Sequence, residues 1–147
     1  MDTLYTAEAS AYGARTGAVI TSDDRLDLKL SRPAEMGGDG GPGTNPEQLF
    51  AAGYAACFHS AMRHALKDVD VTTADLEGSH VTAQVHFLKG GKAEFGLAVD
   101  LTLTTSGLAE EKARALMERT HQICPYSKAT AGNIDVRLHV AQHPHAG

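Results

Sequence analysis

The stretch PEQLFAAGYAACFHSAMRHAL, residues 46–66, constrains the fold more than any other part of the chain. Asn45 stands before it as a helix cap, Pro46 suits the first helical turn, and Gln48, three residues past the cap, is placed to reach back to the free backbone N–H groups. From Leu49 to Ala61 the residues are apolar or small on nearly every face. Arg63, His64 and Lys67 gather at the far end, where cations suit the helix dipole. A helix of this kind must be covered all round. A chain of 147 residues has limited material for that, which predicts a helix covered partly by a second subunit.

Three short strands are expected ahead of this helix, at residues 4–12, 18–22 and 25–31. The last is marked by alternating Leu26, Leu28 and Leu30 after the turn-prone Ser22-Asp23-Asp24. The Gly-rich segment RPAEMGGDGGPG then reads as a connector, since no G-K-[ST] closes it into a phosphate loop. Beyond the helix, Val81, Ala83, Val85 and Phe87 alternate, as do Leu97, Val99, Leu101 and Leu103. The intervening Lys89-Gly90-Gly91-Lys92 supplies a hairpin turn. A second helix is predicted over residues 108–124, with Ala113, Leu116, Met117, Thr120 and Cys124 on one face and Pro125 as its stop. Ile134, Val136, Leu138 and Val140 form a last strand, and residues from about 142 to 147 read as a flexible tail. The order βββ-α-ββ-α-β is that of an α+β fold in a single domain, 1–147.

The sequence is 42% hydrophobic and 21% charged with a net charge of -5, enough apolar material for one core and no basic cluster for nucleic acid or an anionic membrane. A secretory leader and an apolar run of membrane-spanning length are both missing from the pattern, so a cytoplasmic protein is expected.

The chain has two cysteines, Cys57 and Cys124, and in a reducing compartment they are expected to pair transiently, if they meet, rather than as a permanent staple. Cys57 reads equally as a small core hydrophobe. A thiol reacts as its thiolate, which apolar surroundings disfavour. Cys57 is expected mid-helix and Cys124 at a helix C-terminus, so neither gains from an N-terminal dipole. A nucleophilic Cys57 therefore needs a cation brought to it.

Other chemistries lack parts. Cys57, His59 and His64 are spaced two and five apart, not the three or four that lets helical ligands converge, and there is no CxxC or HExxH, so no metal is expected. No G-x-S-x-G is present, and Cys57 has no histidine at a spacing suited to a Cys-His hydrolase. His59 and the tail histidines His143 and His145 receive no role. Phe50 and Tyr126 fit either an apolar substrate pocket or the core.

The blocks GTNPEQLFAAGYAACF (residues 43–58), CPYSKAT (124–130) and GNIDV (132–136), in this order, resemble the organic hydroperoxide resistance proteins of the Ohr/OsmC family over nearly the whole chain. CPYS and GNIDV favour the Ohr branch. The resemblance implies an OsmC-like fold, with antiparallel-rich sheets wrapped around two central helices in an intertwined homodimer. It implies a cofactor-free thiol peroxidase that protects against oxidative stress, with Cys57 as the attacking thiol, Cys124 as the resolving one, and Arg15 (in GARTG) and Glu47 completing the site. The implied partners are an organic hydroperoxide as substrate and a dihydrolipoyl dithiol on a lipoylated protein as reductant. An OsmC-type peroxidase of broader peroxide preference and a non-catalytic thiol sensor or binding module are the alternatives.

Given those roles, Arg15 would hold the Cys57 thiolate and Glu47 would hold the Arg15 guanidinium by paired hydrogen bonds. Glu47 and Cys57 are ten positions apart, however, which is about 15 Å along a straight helix. Either the helix is broken near Glu47, or the site draws on both subunits. The second is expected.

Overall fold

A computed structural model of the chain describes residues 1–143. It forms two compact units, Met1–Leu49 and Phe50–Gly147.

In the first unit, strands β1 (Ala9–Tyr12), β2 (Ala18–Thr21) and β3 (Asp27–Lys29) make an antiparallel sheet in that order. The predicted first strand is shortened to its last four residues. β2 ends at Thr21, paired with Ala9, and among the described residues the ladder is extended only by the bond from Ser22 N–H to Glu8 O. In the short β3, Leu28 is half-buried, Leu30 just past it is buried, and Leu26 before it is exposed. The Gly-rich connector folds back so that Ser31 N–H donates to Thr44 O and Thr44 N–H to Lys29 O.

Helix α1 runs unbroken over Pro46–Ala65. Asn45 caps it as expected, its Oδ1 accepting the Gln48 N–H at 2.8 Å, but the Gln48 side chain does not reach back to the backbone. Its Oε1 accepts from the Thr44 hydroxyl at 2.8 Å instead. The cap bond satisfies the Gln48 N–H, and Leu49 N–H donates to Asn45 O at 3.1 Å.

In the second unit, β4 (His80–Lys89) and β5 (Phe95–Thr105) form the predicted hairpin, and β6 (Val136–Gln142) lies parallel to β5. The parallel pairing requires a crossover. It is made by α2 (Glu110–Ile123) and by α3 (Pro125–Thr130), which the sequence reading missed. Pro125 ends α2 but also opens α3, since its fixed φ suits a first helical position. Cys124 is therefore the extended link between two helices, at φ -62° and ψ 125°, and not part of a helical face. β6 includes Gln142, the first residue of the expected tail, and His143 N–H donates to Thr105 O at 2.8 Å. The rest of that tail, with His145, lies outside the described residues.

The register places Val85, Val99 and Val136 in one row, Ala83, Leu101 and Leu138 in the next, and Val81, Leu103 and Val140 in a third, all on one face of the sheet. Tyr54, Phe58 and Met62 of α1, with Ala113, Leu116 and Met117 of α2, join that face in a single core. The opposite side of α1, at Ala52, Ala56, His59 and Ser60, is exposed in the single chain. No helix among the described residues is long and apolar enough to cross a membrane. The fold is α+β with mostly antiparallel sheets, as expected.

Candidate active site

Two of the four expected site residues meet in the first unit. Arg15 sits in a 3₁₀ turn, Ala14–Thr16, between β1 and β2. Glycine is required on either side of it. Gly13 has φ +73°, and a Cβ on Gly17 would lie 1.6 Å from Tyr12 O, inside any possible contact. This turn aims the guanidinium at Glu47 in the first turn of α1, with Nη1 donating to Oε2 at 2.9 Å and Nη2 to Oε1 at 2.6 Å. The fork is partly buried. The Arg15 hydrogen bond holds the Glu47 carboxyl below its ordinary range against the opposing effect of burial, and the same bond raises Arg15.

The other two residues meet in the second unit. Cys57, one turn past the buried Tyr54 and half-buried itself, lies with its sulfur 3.7 Å from that of Cys124, which is fully buried. Burial pushes the Cys57 thiol above its usual value, the backbone N–H of Tyr126 donates to it and pulls it down, and the Cys124 thiol pushes it up again. The position of α3 thus sets the sulfur that faces Cys57, and its Tyr126 backbone favours the Cys57 thiolate.

Tyr126 itself is packed against α1. Its ring lies 5.7 Å from Tyr54 and 6.3 Å from Phe50 between centroids, and a Cβ on Gly53 would stand 3.0 Å from its Oη. Phe50 and Tyr126 therefore belong to one aromatic group beside the thiols, Tyr126 remaining partly exposed.

Sequence reasoning missed the polar network behind this group. Tyr54 Oη lies 2.9 Å from Ser127 Oγ and 3.2 Å from Thr130 Oγ1, and His121 Nδ1 lies 2.7 Å from Ser127 Oγ. A signal was present: Tyr54 and Ser127 lie inside the blocks that carry the cysteines, while His121 has none. His59 is exposed and lines an open groove of about 680 Å³ with Ser60, Arg63 and Glu77. Among the described residues, no three His, Cys, Asp or Glu side chains converge as metal ligands would.

The arrangement supplies a thiol pair within reach of joining, one backbone donor at the half-buried sulfur, and a separately built Arg–carboxylate fork. Such parts suit two-electron thiol redox chemistry.

Residues 37–139 match the OsmC-like protein family. The chain is 46% identical to an organic hydroperoxide resistance protein of Xanthomonas axonopodis pv. citri, over 94% of this chain and 95% of that one. A crystal structure of an organic hydroperoxide resistance protein from Legionella pneumophila is similar at 45% identity and a TM-score of 0.85, covering 95% of this chain and 99% of that one. The Bacillus subtilis protein OhrB, 41% identical, superposes with a TM-score of 0.82 over 94% of this chain and 99% of its own.

Proposed function

We propose that this chain, which belongs to the OsmC-like family and within it to the organic hydroperoxide resistance proteins, is a thiol peroxidase that reduces organic hydroperoxides to alcohols. The observation that carries the reading is the pair of free thiols 3.7 Å apart, one half-buried and one fully buried. Its two sulfurs have unequal access, as an attacking and a resolving thiol require.

The Cys57 thiolate attacks the outer oxygen of the hydroperoxide. The O–O bond breaks, the alkoxide leaves and takes a proton as the alcohol, and Cys57 becomes a sulfenic acid. The Cys124 sulfur then displaces hydroxide, which leaves as water, and forms the Cys57–Cys124 disulfide before further peroxide can overoxidise Cys57. The sulfurs close from 3.7 Å to about 2.05 Å in that step. An external dithiol of the dihydrolipoyl type, carried on a lipoylated protein, donates two electrons and two protons to restore the thiols, and no bound cofactor takes part. The reducing cytoplasm is where such a thiol pair works.

Cys57 is pushed toward its neutral form by burial, so its thiolate needs a cation. We assign that role to Arg15, oriented by Glu47. That α1 is unbroken from Pro46 to Ala65 while the Arg15–Glu47 fork closes within one chain supports the second way out of the spacing problem, a site that draws on both subunits. The fork is accordingly assigned to Cys57 of a second copy, in a homodimer that also covers the open side of α1 at Ala52 and Ala56. The whole chain, 1–147, is then one functional domain whose site is completed by its partner.

The test is turnover of tert-butyl hydroperoxide and hydrogen peroxide by the wild type and Cys57→Ser, with dihydrolipoamide or reduced thioredoxin as donor. Fast turnover of the organic peroxide with the lipoyl dithiol, lost in Cys57→Ser, is expected. Equal rates on both peroxides would favour the broader OsmC-type activity, and a single oxidation without turnover would make the protein a sensor.

A further inference from the structure

The network behind the thiols determines its own proton arrangement. Thr130 Oγ1 lies 3.0 Å from the Ser127 carbonyl oxygen, which can only accept, so the one Thr130 hydroxyl proton is used there. In the 3.2 Å contact between Tyr54 and Thr130, Tyr54 must then be the donor. That spends the phenol proton, so Ser127 must donate to Tyr54 across 2.9 Å. With the Ser127 proton spent, only His121 can donate in the 2.7 Å contact between its Nδ1 and Ser127 Oγ. All four contacts are satisfied together only if His121 carries its proton on Nδ1. The opposite tautomer reverses the chain and leaves one of the four without a proton, at a site where Tyr54, Ser127 and Thr130 are buried.

The chain of donors ends on α3. Ser127 is held by its side chain at two points and by its carbonyl at a third, in the short helix headed by Cys124, whose sulfur lies 3.7 Å from that of Cys57. The backbone of the neighbouring Tyr126 favours the Cys57 thiolate. We propose that His121, as the neutral Nδ1–H tautomer, is a positioning residue that acts through Ser127 and Tyr54 to hold the first turn of α3, with Cys124 at its head, against Cys57 of α1. His121 touches neither sulfur in this role. Burial lowers the His121 pKa, which favours the neutral imidazole with its single proton on Nδ1. The inference rests on the peroxidase reading only in taking Cys57 as the reactive thiol.

The experiment uses the reduced full-length protein without peroxide, so its outcome is independent of turnover. A two-dimensional ¹H–¹⁵N correlation of the imidazoles should show His121 protonated at Nδ1 and bare at Nε2. The Nε2–H pattern would overturn the proposal. Alkylation of Cys57 by iodoacetamide, followed by peptide mass spectrometry across pH, supplies the functional readout. Ser127→Ala and His121→Ala should shift the Cys57 profile to higher pH and slow alkylation at pH 7 about fivefold, the equilibrium factor of one typical hydrogen bond. His121→Asn, whose amide nitrogen can stand where Nδ1 stands, should restore it. A wild-type profile in Ser127→Ala, or no rescue by His121→Asn, would sink the idea. Should Ser127→Ala fail to fold, Tyr54→Phe keeps the ring, removes the link and carries the same expectation.

Discussion

The two units of the chain hold their functional groups by different means. Among the described residues, every buried apolar side chain except Leu30 belongs to the second unit, where α1, α2 and the β4-β5-β6 sheet close a core over the thiols. The first unit positions Arg15 with a glycine-bounded turn, a three-stranded sheet and hydrogen bonds from Arg15 to Glu47, 32 positions away. One group is placed by packing and the other by bonds. Packing resists change in volume and tolerates change in charge poorly. A fork of two bonds tolerates loss of volume but not of geometry.

The largest expected effect breaks the packed side. Phe58→Ala removes a fully buried ring from the core and should cost about 3–5 kcal/mol, read as a lower urea midpoint at unchanged slope. The corresponding change in the first unit, Leu28→Ala, acts on a half-buried side chain and should cost only about 1 kcal/mol. Equal costs would erase the distinction between the units.

The bonded side is broken by geometry. Arg15→Lys keeps the charge but cannot form the fork. It should lower kcat/KM for the organic peroxide by about 10²-fold while costing under about 1 kcal/mol of stability. Loss of stability without loss of rate would mean that the fork only holds the first unit together.

The smallest effect concerns the outer face of the second sheet. Asp100 accepts from His86 Nε2 at 2.7 Å and His139 Nε2 at 2.6 Å and pairs with Arg137. These partners, His139 first, hold its carboxyl down to about 2. A carboxylate depressed in the folded state stabilises the fold above its unfolded pKa of about 3.9 and loses that contribution as pH falls through about 2. Asp100→Asn should therefore lower the melting temperature slightly at pH 6 and flatten its fall between pH 4 and 2. An unchanged acid limb would show that this cluster contributes nothing to stability.

Much of the second unit was legible. Alternation at Val81 to Phe87 and Leu97 to Leu103 specified the hairpin, because a half-buried strand must send every second residue inward. Asp100, mid-strand, was silent because its partners arrive from β4 and β6. Pro125 was misread for a related reason: a proline ends one helix and begins another with equal ease.

By itself the sequence determined the apolar helix and its cap, the order of the strands, and, through the blocks around Cys57 and Cys124, the family. Each of these depends on neighbours in the chain or on residue types at short spacing. The parallel seat of β6, the placing of Cys124 between two helices, the 3.7 Å approach of the sulfurs and the His121–Ser127–Tyr54 network were decided only by tertiary structure. They join groups up to 76 positions apart, as Tyr54 and Thr130 are, and no local pattern records which buried donor will face which acceptor.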